Sequence, residues 1–488
     1  MRLTTLLDCM KGCTDYNLMH NPEIQGIKMD SRKITDGDLF VAISGFESDG
    51  HHFIQEAIDN GAAAVIGEQQ LQLSVPYVQV KDSRFALGKI ASAFYGYPSR
   101  NHIVVGVTGT NGKTTVSYIL KHILETAGRT CSLLGTVSYI INKEQYLPTN
   151  TTPDALQLQE LVARSNDEFV VLEVSSHALK QSRVVGLELD FGLFTNLSHD
   201  HLDYHDNMDD YFHVKCEMFS YLKKGGKGIV SLVNPWGEKL AAKLNEQSIT
   251  HLTMGYGDEC DLQIENIRLD GVTEFTLKSK EVEYGITFPC PGLHNVYNAG
   301  LAFLAALELG IEPEFIVKGL ETFPGVPGRF EMVAHPSGAT FIVDYAHTQD
   351  AIEYCLQAAK EHNARRITHI YGFRGARDES KREHMVKVSA SMSDDFVLTF
   401  DDLNGVPEEE MLSELHELNR LFGGEKGFVI PDRTLAIQNA WENAREGDWV
   451  LITGKGPEKY NEKFHLPVST DMEALLYLKK MIAKEQVI

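Results

Sequence analysis

Short apolar runs alternate with amphipathic segments along most of the chain. Runs such as 39–43, 169–174 and 191–196 are mostly apolar, a pattern typical of strands that are buried on both faces of a parallel sheet. In segments such as 114–127, apolar residues recur three and four positions apart, which predicts helices with one buried face. The alternation of these two patterns predicts an α/β fold built on parallel sheets.

The same pattern divides the chain into three domains, at 1–100, 101–328 and 329–488. The first boundary follows the break YGYPSRN (95–101), and the Pro/Gly-rich stretch FPGVPGR (323–329) ends the second domain. We expect a small N-terminal α/β domain, a central parallel-sheet domain with a phosphate loop, and a Rossmann-like C-terminal α/β domain. The predicted strands are 39–43, 63–66, 77–80, 102–107, 169–174, 191–196, 340–344, 367–373, 396–400 and 449–453. The predicted helices are 52–60, 84–95, 114–127, 351–360, 380–392 and 433–444.

Composition and charge narrow the class of protein. The net charge of −23 argues against a general nucleic-acid binder, whose binding surface would be basic. The seven cysteines are scattered and form no C-x-x-C pair, so we expect reduced thiols rather than a disulfide framework. No apolar run approaches the ~18–20 residues of a membrane span. We therefore expect a soluble, cytoplasmic protein that is monomeric and binds neither membrane nor nucleic acid.

The stretch VVGVTGTNGKTT (104–115) connects a predicted strand to a predicted helix through a glycine-rich loop. Such a loop can bind polyphosphate, because backbone N–H groups converge on the anion and a Lys reaches its terminal oxygens. The strict G-x-x-x-x-G-K-[ST] pattern fails, since Val107 stands where the first glycine belongs. A structural turn is therefore the alternative, but the strand–loop–helix placement favours nucleotide phosphate.

Carboxylates and imidazoles follow the next two predicted strands. Glu173 lies near the end of FVVLEVSSHAL (169–179), where it could ligate Mg²⁺ or serve as a capping or salt-bridged residue. The segment 194–219 carries four histidines and several aspartates. Its spacing does not suit zinc, and its oxygen-rich neighbours suit Mg²⁺ better. We expect one or two of these side chains to be functional and the rest to be structural or solvated.

Polar groups also open the predicted helix HNVYNAGLAFLAALELG (294–310) and follow the strands of the third domain. The Asn295 amide could read a base edge or cap the helix. Arg329 and the segments DYAHTQD (344–350), GFRGARDESKRE (372–383) and TGKGPEKY (453–460) place polar and charged side chains in loops after strands. The cations among them could bind anionic groups or be ordinary surface charges.

Taken together and in this order, the motifs of the chain resemble those of the Mur ligase family. Its members form amide bonds in cell-wall peptide synthesis and convert ATP to ADP and phosphate. The resemblance covers all three domains and is nearest to the members that add the third residue of the stem peptide. In this family the loop does not need the distant first glycine. The motifs are DSRKITDGDLFVAISGFESDGHHFI (30–54), GTNGKTT (109–115), TNTTPDALQLQ (149–159), LEVSSHALKQSRV (172–184), TNLSHDHLDYH (195–205), HNVYNAG (294–300), PGRFE (327–331) and DYAHTQD (344–350).

The resemblance implies a mechanism and a set of site residues. ATP phosphorylates the terminal carboxylate of a UDP-N-acetylmuramoyl-dipeptide-like substrate, and a free amino acid attacks the acyl phosphate. The implied catalytic residues are Lys113, Glu173, His201 and Lys215. The implied Mg²⁺ ligands are Thr114, Glu173, His201 and Lys215, the last carbamylated by CO₂. The implied ATP contacts are Gly109, Thr110, Asn111, Gly112, Lys113, Thr114, Thr115, Asn295, Asn298, Arg329, Asp344, Tyr345 and His347. The implied contacts of the nucleotide-sugar peptide are Ser31, Arg32, Thr151, Thr152, Ser176 and Arg183, and those of the amino acid are Asp401, Asp402, Asn404, Gly454 and Glu458.

The third domain departs from the family pattern in the region expected to bind the amino acid. Members that use meso-diaminopimelate carry Asp-Asn-Pro-Arg where this chain reads FDDLNGVPEE, without an arginine. Because that arginine would bind the distal carboxylate of diaminopimelate, its absence disfavours diaminopimelate. The chain could therefore add lysine or another amino acid. Pro457 replaces a histidine, and Arg374 stands in a normally glycine-rich turn.

Two alternatives to the wall-precursor ligase remain open on the sequence alone. The chain could be a paralogue that ligates an amino acid to another carboxylate outside wall synthesis. A folate-type acceptor is disfavoured, because folylpolyglutamate synthetases lack a comparable N-terminal uridine-nucleotide domain. The chain could also be a non-catalytic protein that binds nucleotide or wall precursor, although the retained phosphoryl-transfer residues argue against this.

Overall fold

The computed structural model describes residues 1–10, 20–45 and 48–485, and the side chains up to residue 481. Its strands form three sheets of four, eleven and six strands, and most neighbouring strands are parallel, which confirms the predicted α/β class. Cys13 and residues 46–47 of the first motif lie outside the described part of the chain. The six cysteines within it form no disulfide bond with one another, and no helix in it is long and apolar enough to cross a membrane.

The chain forms two compact units that do not coincide with consecutive stretches of sequence. Unit 1 comprises Met1–Thr108, Arg129–Gly192 and Val214–Gly228, and unit 2 comprises Gly109–Gly128, Leu193–His213 and Ile229–Ile488. The predicted domain boundaries near residues 100 and 328 therefore stay predictions.

Unit 1 begins with a parallel four-stranded sheet in the order β1-β2-β3-β4. The two central strands are buried at every position, as expected for a sheet covered on both faces. The strands are β1 (Gly26–Lys28), β2 (Asp38–Val41), β3 (Ala64–Gly67) and β4 (Tyr77–Gln79). The helices are α1 (Leu3–Leu7), α2 (Ile54–Asp59) and α3 (Ser83–Phe94).

The middle of the chain contributes β5 to β15 and α4 to α10. In unit 1 the strands of this sheet follow the order β10-β5-β9-β6-β7-β8. In unit 2 they follow the order β15-β14-β13-β12-β11. Strands β10 and β11 each have residues in both units. The strands are β5 (Ile103–Thr108), β6 (Cys131–Leu134), β7 (Tyr139–Ile141), β8 (Glu144–Tyr146), β9 (Phe169–Glu173), β10 (Leu189–Phe194), β11 (Leu222–Ser231), β12 (His251–Gly255), β13 (Leu262–Arg268), β14 (Thr273–Ser279) and β15 (Val282–Phe288). The helices are α4 (Lys113–Thr126), α5 (Ala155–Arg164), α6 (Ser176–Lys180), α7 (Met208–Cys216), α8 (Pro235–Glu246), α9 (Leu293–Glu308) and α10 (Pro313–Glu321).

The six-stranded sheet has the order β16-β17-β21-β18-β19-β20. Only β16 runs antiparallel to its neighbour among these described strands, so the carboxyl ends of the other five meet at one edge. Apolar clusters cover both faces of the sheet. The strands are β16 (Glu331–Ala334), β17 (Thr340–Val343), β18 (Arg366–Phe373), β19 (Asp395–Phe400), β20 (Gly427–Val429) and β21 (Asp448–Ile452). The helices are α11 (Gln349–Glu361), α12 (Arg382–Met392), α13 (Glu408–Leu418), α14 (Arg433–Asn443) and α15 (Asp471–Glu485).

Candidate active site

The glycine-rich loop lies where the sequence predicts it, between β5 and the first turn of α4. Val107, which occupies the position of the absent glycine, is a fully buried residue of β5. Lys113 is the first residue of α4, and its Nζ donates hydrogen bonds of 2.8 Å to the carbonyl oxygens of Gly109 and Thr110. The loop thus precedes a 14-residue helix whose N-terminus favours an anion.

Two glycines of this loop are required by their surroundings. Gly109 has φ +147°, and a Cβ there would lie 1.9 Å from Oγ1 of Thr195. Gly112 has φ +84°, and a Cβ there would lie 2.3 Å from Oδ1 of Asn298. Any side chain at either position would meet a polar atom at a distance that real Cβ atoms do not reach. Backbone conformation and steric crowding therefore explain why the motif has glycine at positions 109 and 112.

The segment after β10 holds the loop in place. Asn196 accepts from the loop N–H groups, with its carbonyl bonded to Thr110 N at 2.9 Å and its Oδ1 to Asn111 N at 3.0 Å. Thr195 Oγ1 donates to the Asn111 carbonyl at 2.6 Å, and Ser198 N donates to Thr110 Oγ1 at 3.1 Å. No role was predicted for these residues, although TNLS belongs to the motif at 195–205.

The asparagines of α9 do not cap that helix. Its N-cap is Gly292, and Asn295 lies inside the first turn, where Nδ2 donates to the Pro291 carbonyl at 2.8 Å. Asn298 donates to Oδ1 of Asn295 at 3.3 Å. The capping interpretation of Asn295 is therefore wrong, and both amides are buried in unit 2 next to the loop through Gly112.

Arg329, Asp344 and Tyr345 form one group in unit 2. The Arg329 guanidinium stacks over the Tyr345 ring at 4.2 Å, and its Nη2 donates to Thr114 Oγ1 at 3.2 Å. Asp344 accepts 2.6 Å hydrogen bonds from the backbone N–H groups of Phe330 and Ala346. Burial raises the pKa of Asp344, an effect that Arg329 opposes. Three predicted ATP contacts that are distant in sequence from the loop thus form one group, and Arg329 links this group to the first turn of α4.

Asp200 is a buried carboxylate that organises the histidine-rich segment. It accepts a 2.9 Å hydrogen bond from Lys381 Nζ, and its Oδ2 lies 3.4 Å from Nε2 of both His201 and His347. Burial alone would raise the pKa of Asp200, but His201, His347 and Lys381 hold it well below its usual value. Neither Asp200 nor Lys381 was among the predicted site residues.

Other histidines of that segment have structural contacts. His205 is buried, lies 3.2 Å from Oδ2 of Asp210 and stacks on Tyr211. His213 contacts the carbonyl of Asp209 at 2.6 Å. Among the described residues, no group of three or more His, Cys, Asp or Glu side chains is arranged to hold a metal ion.

Glu173 is the last residue of β9 and is fully buried in unit 1. Its two oxygens accept 2.9 Å hydrogen bonds from the backbone N–H and the hydroxyl of Thr136. The same hydroxyl lies 3.2 Å from that of Thr151, and Thr152 Oγ1 donates to the Glu173 carbonyl at 2.8 Å. Glu173 is thus joined to Thr151 through the side chain of Thr136 and to Thr152 directly through its own carbonyl; Thr136 was not among the predicted site residues.

A cavity of about 290 Å³ lies in unit 1 beside these threonines. Arg183 lines it and also donates to the Thr152 carbonyl at 2.9 Å. Arg84, Asn150 and Gln181 add polar groups to the lining, together with apolar residues such as Leu87. The cavity thus combines two guanidiniums, amides and an apolar wall.

The remaining predicted contacts of the nucleotide-sugar peptide lie in unit 1 outside that lining. Ser31 is buried and donates to Glu56 at 2.6 Å, whereas Arg32 is exposed and pairs with Asp30 at 2.9 Å. Ser176 is the buried first residue of α6.

Lys215, on α7, is 1% exposed. An amine so deeply buried is unusual. In the sequence, only the family resemblance distinguishes Lys215 from a surface lysine.

The predicted amino-acid contacts lie after β19 and β21. Lys455 is 1% exposed, and its Nζ lies 3.2 Å from Asp401 and 2.7 Å from Asp402. Glu458 accepts a 2.8 Å hydrogen bond from the Tyr345 hydroxyl. Asn404 donates to the Gly375 carbonyl at 3.0 Å. A Cβ on Gly454 would lie 3.3 Å from Asp401 Oδ2. All five residues thus lie in the loops that follow β19 and β21 at the carboxyl edge of the six-stranded sheet. Glu458 links this group to Tyr345.

Three family models match the chain in order. They are the Mur ligase family catalytic domain at residues 23–95, the Mur ligase middle domain at 107–306, and the Mur ligase glutamate ligase domain at 328–456. The first and third matches each contain one whole sheet, and the second contains the eleven-stranded sheet except for the first four residues of β5.

Curated relatives match almost the whole chain. A UDP-N-acetylmuramoyl-L-alanyl-D-glutamate–2,6-diaminopimelate ligase of Halalkalibacterium halodurans is 38% identical, over 95% of this chain and 95% of the relative. The ligase of the same name from Bacillus velezensis is 37% identical over the same shares. A solved structure of a ligase with that name superimposes with a TM-score of 0.67 at 27% identity, covering 95% of each chain. The chain therefore belongs to the Mur ligase family.

Proposed function

We propose that this ATP-dependent amide ligase adds an amino acid to the terminal carboxylate of UDP-N-acetylmuramoyl-L-alanyl-D-glutamate in the synthesis of the cell-wall peptide. The relatives that match 95% of the chain are named for this acceptor. The proposal places ATP on the Gly109–Thr115 loop and the acceptor on the unit 1 residues around Thr151 and Thr152. Action in the cytoplasm and as a monomer stay predictions.

The observation that carries the proposal is the hydrogen-bonded chain from Glu173 through Thr136 to Thr151. It joins a buried carboxylate at the end of β9 to the residues expected to hold the acceptor. A protein that only bound nucleotide would have no evident need for this link. The cavity lined by Arg84 and Arg183 offers guanidiniums for a diphosphate and amides for a base, which suits a nucleotide sugar.

The chemistry divides one difficult step into two. A carboxylate oxygen of the acceptor attacks the γ-phosphorus of ATP, the bond to the β–γ bridging oxygen breaks, and ADP leaves. The amine of the amino acid then attacks the acyl carbon, and phosphate leaves with the former carboxylate oxygen as the amine loses a proton. In this proposal Lys113 neutralises the charge on the transferring group, since phosphoryl transfer depends on positioning and electrostatic stabilisation.

Mg²⁺ is the expected metal, because the hydroxyl of Thr114, the carboxylate of Glu173 and the imidazole of His201 include the oxygen donors it prefers. Bound Mg²⁺ would neutralise phosphate charge. A carbamate on Lys215 would replace a buried amine with a carboxylate and add another oxygen donor. We expect Lys215→Ala to lose activity that added acetate restores in part; no rescue would count against the carbamate.

The test is phosphate release with ATP, UDP-N-acetylmuramoyl-L-alanyl-D-glutamate and a panel of amino acids. We expect release that requires both the acceptor and one class of amino acid. Release that depends on a different carboxylate acceptor would favour the paralogue outside wall synthesis. No release with any amino acid would contradict the proposal, and turnover unchanged by Glu173→Gln would favour a protein that binds nucleotide without this chemistry.

A further inference from the structure

The turn that joins β6 to β7 encloses the carboxylate of Glu173. A Cβ on Gly135 would lie 2.1 Å from Glu173 Oε1, so glycine is needed for the carboxylate to lie against this turn. The next residue, Thr136, donates its backbone N–H to Oε1 and its hydroxyl to Oε2, each at 2.9 Å. Because one residue holds both oxygens, the carboxylate cannot rotate without losing one of these hydrogen bonds.

The Thr136 hydroxyl has a single proton, and its two neighbours determine where that proton points. The Glu173 carboxylate can only accept, so Thr136 donates to it. The 3.2 Å contact between the Thr136 and Thr151 hydroxyls must then have Thr151 as the donor. Since a hydroxyl oxygen has two lone pairs, Thr151 presents an acceptor, and not a donor, to a ligand that binds beside it.

The strand after the turn holds the Thr151 loop at a second point. Tyr139 is the first residue of β7 and is 1% exposed, and its hydroxyl donates to the Asn150 carbonyl at 2.5 Å. Asn150 also lines the cavity of unit 1. The hydroxyl of Tyr139 contacts the loop, whereas that of Thr136 contacts both the loop and Glu173. Substitutions at these two positions can therefore separate support of the loop from control of the carboxylate.

Resting on the proposed function, we propose that Thr136 is a positioning residue that couples the Glu173 carboxylate to the Thr151 hydroxyl that meets the acceptor. Its hydroxyl orients Glu173, an expected Mg²⁺ ligand, as hydrogen-bond partners behind metal ligands commonly do. The same hydroxyl sets Thr151 to accept a hydrogen bond from an N–H or O–H group of the UDP-linked dipeptide. One side chain thus fixes the acceptor and the carboxylate relative to each other.

The experiment compares four variants with the wild type. Thr136→Val removes the hydroxyl and keeps the shape and the backbone N–H, Thr136→Ser keeps the hydroxyl, and Tyr139→Phe releases the loop alone. The matched control is Thr130→Val at the other end of β6, where the threonine hydroxyl accepts from the backbone N–H of Glu168 at 2.9 Å. Circular dichroism of each variant checks that it folds.

Two measurements are made on each variant. Phosphate release is followed as the concentration of the UDP-linked dipeptide is varied, with ATP and the amino acid saturating. Isothermal titration calorimetry gives the dissociation constant of the same dipeptide without ATP or metal. The second measurement reports on the Thr151 side of the coupling, and the split between kcat and KM reports on the Glu173 side.

Thr136→Val should impair both sides of the coupling. We expect kcat to fall about 30-fold and the dissociation constant to rise about tenfold, because a hydrogen bond to a charged group and an oriented hydroxyl are both lost. Tyr139→Phe should raise the KM and the dissociation constant about fivefold, with kcat changed less than about twofold. Thr136→Ser should stay within about threefold of the wild type, since it keeps the hydrogen bonds. Thr130→Val should behave as the wild type.

Two results would overturn the inference alone. A Thr136→Val variant with an unchanged kcat would mean that Thr136 does not act through Glu173. A Thr136→Ser variant as impaired as Thr136→Val would mean that the methyl group, and not the hydroxyl, matters. If Thr136→Val does not fold, Thr136→Ala tests the same loss of the hydroxyl. A wild type that releases phosphate with no amino acid of the panel would instead overturn the proposed function, and the inference with it.

Discussion

The phosphate loop and the carboxyl edge of the six-stranded sheet are held by different kinds of contact, although both lie in unit 2. The loop is held by backbone groups and by glycines that exclude any side chain, with Thr195 and Asn196 as its anchors. The edge is held by charged side chains that follow three strands, with Lys455 and Arg374 opposite three carboxylates. A backbone site tolerates little change, whereas a side-chain site can keep its charge balance while its residues are exchanged.

The largest effect should come from the loop. Lys113→Ala removes the cation expected at the transferring phosphate, so we expect phosphate release to fall about 10³-fold, as for other charge-stabilising donors. The matched control is Lys121→Ala on the same helix, where the lysine pairs with Glu125. Equal losses in the two variants would mean that α4, rather than the Lys113 charge, is what matters.

The charge balance of the edge should appear in stability. Lys455→Met leaves Asp401 and Asp402 buried without their common cation, so the free energy of unfolding should fall by about 3 kcal/mol. Urea denaturation measures this. Lys387→Met, at an exposed pair with Glu383, should leave the midpoint unchanged. A stable Lys455→Met protein would show that the edge does not depend on that balance.

A smaller effect should come from the loop backbone. Gly109→Ala forces a Cβ into Thr195 at a strained φ, so we expect the KM for ATP to rise about tenfold, a cost of the size typical for local backbone strain. Gly128→Ala serves as the control, since Gly128 also has a positive φ but nothing within 4 Å of the added Cβ. Similar results for both would attribute the effect to backbone conformation alone, not to the close approach.

The two regions also differ in how far sequence predicts them. The loop and its helix follow from a local pattern of apolar residues and glycines, and the predicted helix 114–127 agrees with α4 to within a residue at each end. Local pattern also predicted the strand that carries Glu173 and the strand that precedes Asp401. It could not predict Thr136 on Glu173 or Lys381 on Asp200, because these contacts join residues far apart in sequence.

The edge shows the same limit more clearly. The sequence has no arginine directly after β19, and this absence was the reason to disfavour diaminopimelate as the amino acid. Only the register of β18 against β19 places Arg374 beside Asp401. Likewise, the capping interpretation of Asn295 was reasonable for a helix start, but the helix begins at Leu293, two residues earlier. The sequence shows which charged and polar side chains are available. The order and register of the strands determine which of them lie side by side.

The central claim is that the chain activates a carboxylate as an acyl phosphate. The most direct test uses UDP-N-acetylmuramoyl-L-alanyl-D-glutamate labelled with ¹⁸O in its terminal carboxylate, with ATP and the preferred amino acid, and mass spectrometry of the released phosphate. Because the attacking carboxylate oxygen leaves with the phosphate, each phosphate should carry one atom of the label. Phosphate without ¹⁸O would mean that water, not the acceptor, takes the γ-phosphoryl group, and would contradict the account.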